Sequence, residues 1–211
     1  MTNFIPIFPL GVVVYPDEQL NLHIFEPRYK QLIRDCIAEN KPFGIPAVID
    51  KKMVEYGTLV EIVRLEKTYD NGEMDVVTRG IKVFRILEVI RSIPDKMFTG
   101  AIVSYPENHF NSNGRLHAQV LQALRELHHI LQINKTFKKA DEELIAYDIA
   151  HHAGLSLHEE YEVLHLFQEL QRLEYLKRHL LKVIPLMAEM ERLKDRVKLN
   201  GHFRNLTAGD V

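Results

Sequence analysis

Residues 8–29 read FPLGVVVYPDEQLNLHIFEPRY, and the fold turns on how this stretch is read. Gly11 to Tyr15 is a short β-branched run expected as a strand, and Pro16-Asp17-Glu18 breaks it as a turn. Leu20, Leu22 and Ile24 alternate with Asn21, His23 and Phe25, the period of a half-buried second strand. Glu26-Pro27 then opens a helix, because proline at the first helical position loses no hydrogen bond and an acid there meets the positive end of the helix. Tyr29, Leu32, Ile33, Cys36 and Ile37 follow at three-and-four spacing as one apolar stripe.

Downstream, Asn40-Lys41-Pro42 ends that helix and Phe43 to Ile49 reads as a strand. Asp50 to Tyr56 reads as a polar, insertion-tolerant loop. Leu59–Thr68 and Met74–Arg79 flank Tyr69-Asp70-Asn71-Gly72-Glu73, and Asn-Gly between two alternating runs is a strong hairpin signal, since both residues accept positive φ. Gly80 suggests a bulge or bend, Ile81 to Val89 continues as strand, and Phe98 to Tyr105 is the last one. Bends of this kind let a small sheet curl toward a closed barrel.

From the linker-like cluster Asn111-Ser112-Asn113-Gly114 onward the pattern is helical. Leu116, Val120, Leu124, Leu127 and Leu131 share one stripe. Asp141 is expected to cap a second helix carrying Leu144, Ile145, Ile149 and Ala153, closed by Gly154. Ser156-x-x-Glu159 has the form of a capping box and starts a third helix, whose apolar spacing runs unbroken from Val163 to Val197. That span is about 50 Å of helix, with a kink expected at Pro185 and a stop at Asn200-Gly201.

The opening stretch resembles the amino-terminal, substrate-binding domain family of Lon proteases. Phe8-Pro9-Leu10, Tyr15-Pro16, Leu20 to Ile24 and Phe25-Glu26-Pro27-Arg28-Tyr29 carry the likeness in order, and Gly57, Gly72, Gly80, Val83, Phe84 and Ile86 extend it. The resemblance implies an α+β fold: a small PUA-like β-barrel with one packed helix over residues 1–110, then a helical subdomain over 111–211 that ends in a long helix. It also implies a stand-alone, ATP-independent module that holds unfolded or partly folded proteins or peptides, with an ATP-dependent protease as a further expected partner.

Composition narrows the alternatives. A formal charge of -2 and a pI near 6.6 give no electrostatic footprint for nucleic acid or an anionic membrane. RNA binding by a PUA-like barrel is therefore the weaker reading. No apolar run approaches the roughly 18 residues of a membrane span, and the cytoplasm is the expected compartment. None of the ten glycines precedes a lysine, so no P-loop is present, and the chain is expected neither to hydrolyse ATP nor to cut peptides. No cofactor is expected.

A metal-dependent enzyme built on His128, His129, His151, His152, His158 and His165 is the other alternative. His158-Glu159 fails the H-E-x-x-H form at Glu162, and solvated helix surface is the simpler reading. Cys36, alone and on an apolar stripe, reads as a buried small hydrophobe. Glu26 and Arg28 read as an ion pair at the helix start. The candidate peptide-binding residues are Tyr15, Pro16, His23, Phe25 and Tyr69. Met187 and Met190 on the last helix read equally as a docking face or as core, and the same helix offers a seam for homo-oligomer formation.

Overall fold

Strand alternation and glycine placement produce a sheet that closes on itself. The computed structural model describes residues 3–111 and 113–206, without the side chains of Asp195 and 198–206. In the first part lie β1 (Asn3–Pro6), β2 (Gln19–Ile24), α1 (Pro27–Glu39), β3 (Phe43–Ile49), β4 (Lys52–Thr68), β5 (Met74–Ile90) and β6 (Gly100–Ser104). The strands pair antiparallel in the order β1-β6-β5-β4-β3, and β2 pairs with the first half of β5. Closure comes from residues 7–10. They leave β1 and bond to β3, through Phe8 N–H to the Gly44 carbonyl at 2.8 Å and Val48 N–H to the Leu10 carbonyl at 2.7 Å. One continuous segment, 3–10, thus joins the two ends of the sheet and leaves no free edge there.

Gly80 makes the bend in β5. Leu59 pairs with Lys82 while Val60 pairs with Gly80, so Ile81 is bulged out of register. A Cβ on Gly80 would collide with the Tyr15 carbonyl, and Gly80 exchanges backbone hydrogen bonds with Asp17 and Glu18 at 2.9 and 2.8 Å. At the hairpin tip only Gly72 is left-handed (φ 76), whereas Asn71 acts by accepting the Glu73 N–H on its side chain at 3.1 Å. α1 closes the core: Tyr29, Leu32, Ile33 and Cys36 pack with Ile24, Phe43, Val60 and Met74. Each fully buried Leu, Ile or Phe there contributes roughly 1.5–3 kcal/mol.

Several elements differ from expectation. Gly11–Tyr15 is not a strand but an unladdered segment that bends at Gly11 and Val12, with Val13, Val14 and Tyr15 buried and the Thr58 hydroxyl donating to the Val14 carbonyl. Its apolar content reports burial rather than pairing. Asp50–Tyr56 is not a loop: Asp50 and Lys51, both at positive φ (49 and 64), turn the chain directly into β4, with Ile49 paired to Lys52. Ile37 leaves the core and is 42% exposed.

The later helices are α2 (Gly114–Ile130), a 3-10 turn (Asp141–Glu143), α3 (Ala146–Ala150), α4 (Leu157–Leu164) and α5 (Glu169–Leu206). Asn113 caps α2 by accepting from Arg115 and Leu116 N–H groups; Ser112 lies outside the described residues. The helix expected from Asp141 is broken after its first turn, and the expected long helix is two, interrupted at His165–Gln168. The Ser156–Glu159 capping box is present, with Ser156 N–H donating to Glu159 at 2.8 Å. Pro185 lies inside α5, which passes through Asn200-Gly201 to Leu206.

Two compact units result. Residues 1–109 and 155–168 form the first, and 110–154 and 169–211 the second, so α4 belongs with the barrel although it is separated from it in sequence. Among the described residues, no helix is long and apolar enough to cross a membrane.

Candidate functional site

The β2/β5 register brings three of the five candidate residues together. His23 stands opposite Asp75 as a cross-strand partner, with its Nδ1 2.7 Å from the Asp75 carboxylate and its Nε2 3.3 Å from Glu73. The Tyr69 hydroxyl donates to the other Asp75 oxygen at 2.7 Å. The His23 ring centre lies 6.2 Å from that of Phe25 and 5.8 Å from that of Tyr69, the latter pair edge-on, and Lys67 sits 4.3 Å above the Tyr69 ring. Phe25 is 60% exposed. Hydrogen bonding to Asp75 raises the His23 pKa above its ordinary value, the same bonds lower that of Asp75, and Tyr69 is raised by its bond to the carboxylate. These groups satisfy one another, so the cluster offers ring edges and Phe25 rather than a nucleophile or a general base.

Tyr15 and Pro16 do not join it. Both are buried, and the Tyr15 hydroxyl donates to the Glu160 carbonyl at 2.9 Å, which holds α4. Their apolar character serves the barrel interior.

A second feature escaped the sequence reading. Phe43, the first residue of β3, pairs with Val60, so among the described residues Glu61–Thr68 of β4 have a strand partner, β5, on one side only. Beside that unpaired edge, α1 ends in a left-handed Asn40 (φ 50), with the Lys41 N–H bonded back to the Cys36 carbonyl at 2.9 Å. Between them lies a groove of about 360 Å³ with Ile37, Pro42, Val63, Leu65 and Ile81 in its walls. A second cleft of about 230 Å³ adjoins it, lined by Phe4, Pro6, Ile93 and Phe98; Cys36 and Lys41 border both. Val63 is 49% exposed and Phe4 53%. The signal was present as Val63 and Leu65 spaced two apart, but such spacing is also that of any strand with one buried face.

Other candidates resolve structurally. Burial pushes the Cys36 thiol up to about 12, which removes it as a nucleophile. Glu26 and Arg28 form an exposed pair at 2.7 Å, and Arg28 lies 4.5 Å over the Tyr29 ring. The histidines disperse. His128 is buried, not solvated, with Nε2 2.9 Å from the His152 carbonyl. His158 lies 3.0 Å from Asp50, and His165 bonds the Tyr161 carbonyl at 2.7 Å. Among the described residues no cluster of three or more His, Cys, Asp or Glu side chains could hold a metal ion.

In the helical unit the sequence reading also missed a fully buried ion pair. Glu169 accepts the Ala146 N–H at 2.7 Å and two bonds from Arg172, at 2.8 and 2.7 Å. The Arg172 guanidinium lies 4.3 Å from the Tyr147 ring and 5.1 Å from Phe110. On α5, Leu173, Leu176 and Leu180 are buried, whereas Leu186, Met190, Leu193 and Val197 are exposed. Met190 is therefore not core, and Met187 is half-buried.

Comparison with known proteins bears on the whole arrangement. The model of the ATP-dependent protease La (LON) substrate-binding domain family matches residues 5–182. A LON peptidase N-terminal domain and RING finger protein of Schizosaccharomyces pombe is 29% identical over 105 residues, covering 41% of this chain and 21% of that protein. The chain thus spans about a fifth of that relative's length. Among solved structures, a Lon N-terminal domain protein from Xanthomonas campestris superposes with a TM-score of 0.65 at 24% identity, covering 82% of this chain and 96% of that one. The N-terminal domain of a Mycobacterium avium complex Lon protease gives 0.62 at 15% identity, covering 84% and 98%. At these identities the two structures speak to the fold alone.

Proposed function

Because the chain belongs to the Lon substrate-binding domain family, we propose that it is a non-catalytic binding module for exposed apolar segments of unfolded or partly folded proteins. The family match over residues 5–182 carries this reading. That family is a substrate-binding domain rather than a catalytic one, and apolar side chains exposed on strands and helices supply the attractive element. An ATP-dependent protease as downstream partner belongs to the same proposal.

The test is a titration of the full chain with a permanently unfolded protein, such as reduced and carboxymethylated casein, beside a folded control. Saturable binding of the unfolded protein alone is expected, with a negative heat-capacity change and little salt dependence. Equal binding to both, or to neither, removes the reading. Retention of labelled RNA that falls steeply with salt would put nucleic acid in its place.

Exposure of Leu186, Met190, Leu193 and Val197 at four-and-three spacing supports self-association through α5 as a second property. Sedimentation that gives the monomer mass at every concentration removes it.

A further inference from the structure

We propose that the two adjoining clefts at the C-terminal turn of α1 take two apolar side chains of one uncharged, extended polypeptide segment; this deepens the function proposed above and rests on it. The volumes decide the scale. At about 360 and 230 Å³ the clefts sit toward the small end of ligand pockets, roughly 300–1,000 Å³, and each has room for an apolar side chain. Their shared border at Cys36 and Lys41 places both within reach of one segment.

Charge complementarity selects the occupant. Every charged side chain bordering the clefts already has an opposite partner: Asp35 with Lys96 at 2.8 Å, Glu39 with Lys41 at 2.6 Å, Glu61 with Arg79, and Arg64 with Glu66 at 3.4 Å. A charge brought by the segment would find these counter-ions already engaged and gain little, so Leu, Val or Phe, which cover the apolar wall residues, are favoured. Extended conformation follows from the vacant side of β4. Backbone groups from Glu61 onward can pair with an added strand where β3 stops. The bulges at Val63 and Glu66 keep that ladder short, so side-chain capture outweighs strand addition.

The experiment measures fluorescence anisotropy of a labelled, uncharged nonapeptide of alternating leucine and serine, and of its counterpart with aspartate replacing the central leucine. Both are titrated with the full chain and with Val63→Asp, Phe4→Asp and, as a control on an exposed residue of β5 outside both clefts, Leu87→Asp, each checked by thermal melting. Where Phe4→Asp melts early, Phe4→Thr, which suits a strand, replaces it. Weakening by about tenfold or more is expected for each cleft variant and for the aspartate peptide, with Leu87→Asp within about twofold. Either cleft variant within twofold of the parent, or loss of binding in Leu87→Asp alone, overturns the assignment to the clefts. If the parent chain binds casein but the cleft variants are silent, only this inference fails; if it binds neither casein nor peptide, the functional reading fails with it.

Discussion

The two units both pair charges on their surfaces but differ in the polar groups they bury. In the barrel unit, charged side chains pair on the outside: His23 with Asp75, Arg79 with Glu61, Arg85 with Glu55. Its buried polar groups include the hydroxyls of Thr58, Thr78 and Tyr15, each donating to a backbone carbonyl. In the helical unit a carboxylate and a guanidinium are wholly buried. The cause is local. Paired strands satisfy one another's backbone, whereas every helix start leaves N–H groups without partners. α3 begins after Ile145, which has no side-chain acceptor, so Glu169 supplies one to Ala146, and Arg172 then neutralises Glu169. Breaking a helix inside a core creates the need for a buried charge pair.

Substitution can break or sharpen this contrast. Arg172→Met should have the largest effect, since Glu169 is left buried and unpaired; a loss of about 3–5 kcal/mol is expected in urea unfolding followed by circular dichroism. The double variant Glu169→Gln, Arg172→Met should recover part of that loss. A cost under about 1 kcal/mol for Arg172→Met would show that the pair is not the device described. In the barrel, Gly80→Ala places a Cβ against the Tyr15 carbonyl and should cost about 1–3 kcal/mol by overpacking. Ser156→Ala removes the acceptor of the Glu159 N–H at the start of α4 and should cost about 1 kcal/mol. Hydrogen exchange confined to α4 would localise that loss.

The same contrast explains what could be read from the chain. Alternation, the Asn71-Gly72 tip, Gly80 and the proline that opens α1 are local signals, and they located β2 to β6 and α1. Periodicity reports which face is apolar, not where a helix stops. The continuous stripe therefore concealed the break at His165–Gln168 and the short α3. Glu169 and Arg172, spaced like an ordinary surface pair, carried no sign of burial. Nor did the β-branched run at Gly11–Tyr15 distinguish a partly buried, unladdered segment from a paired strand. Among the candidate site residues, His23, Phe25 and Tyr69 gather because strand register brings them together, while Tyr15 and Pro16 are consumed by the core. The clefts beside α1 depend on where β3 ends relative to β4, a tertiary fact that neither strand encodes alone.

The smallest effect belongs to His23, and its direction is fixed by the charges around it. Asp75 and Glu73 favour the protonated imidazole, so its folded pKa lies above the ordinary 6.5. That contribution is complete below the unfolded value and is lost as pH rises through the folded one. Asp75, lowered from 3.8 by His23 and Tyr69, contributes above its unfolded value and loses that contribution as pH falls through its folded one. Together they support the barrel most at weakly acidic pH; alkaline pH removes the His23 contribution and strongly acidic pH that of Asp75. In a nuclear magnetic resonance titration the His23 ring should titrate above 6.5, and Asp75→Asn should bring it back toward that value. Because solvent and salt screen the cluster, His23→Gln should scarcely change unfolding at pH 8, far less than Arg172→Met. An equal loss from both substitutions would mean that exposure does not separate the two networks, and the contrast between the units would fall with it.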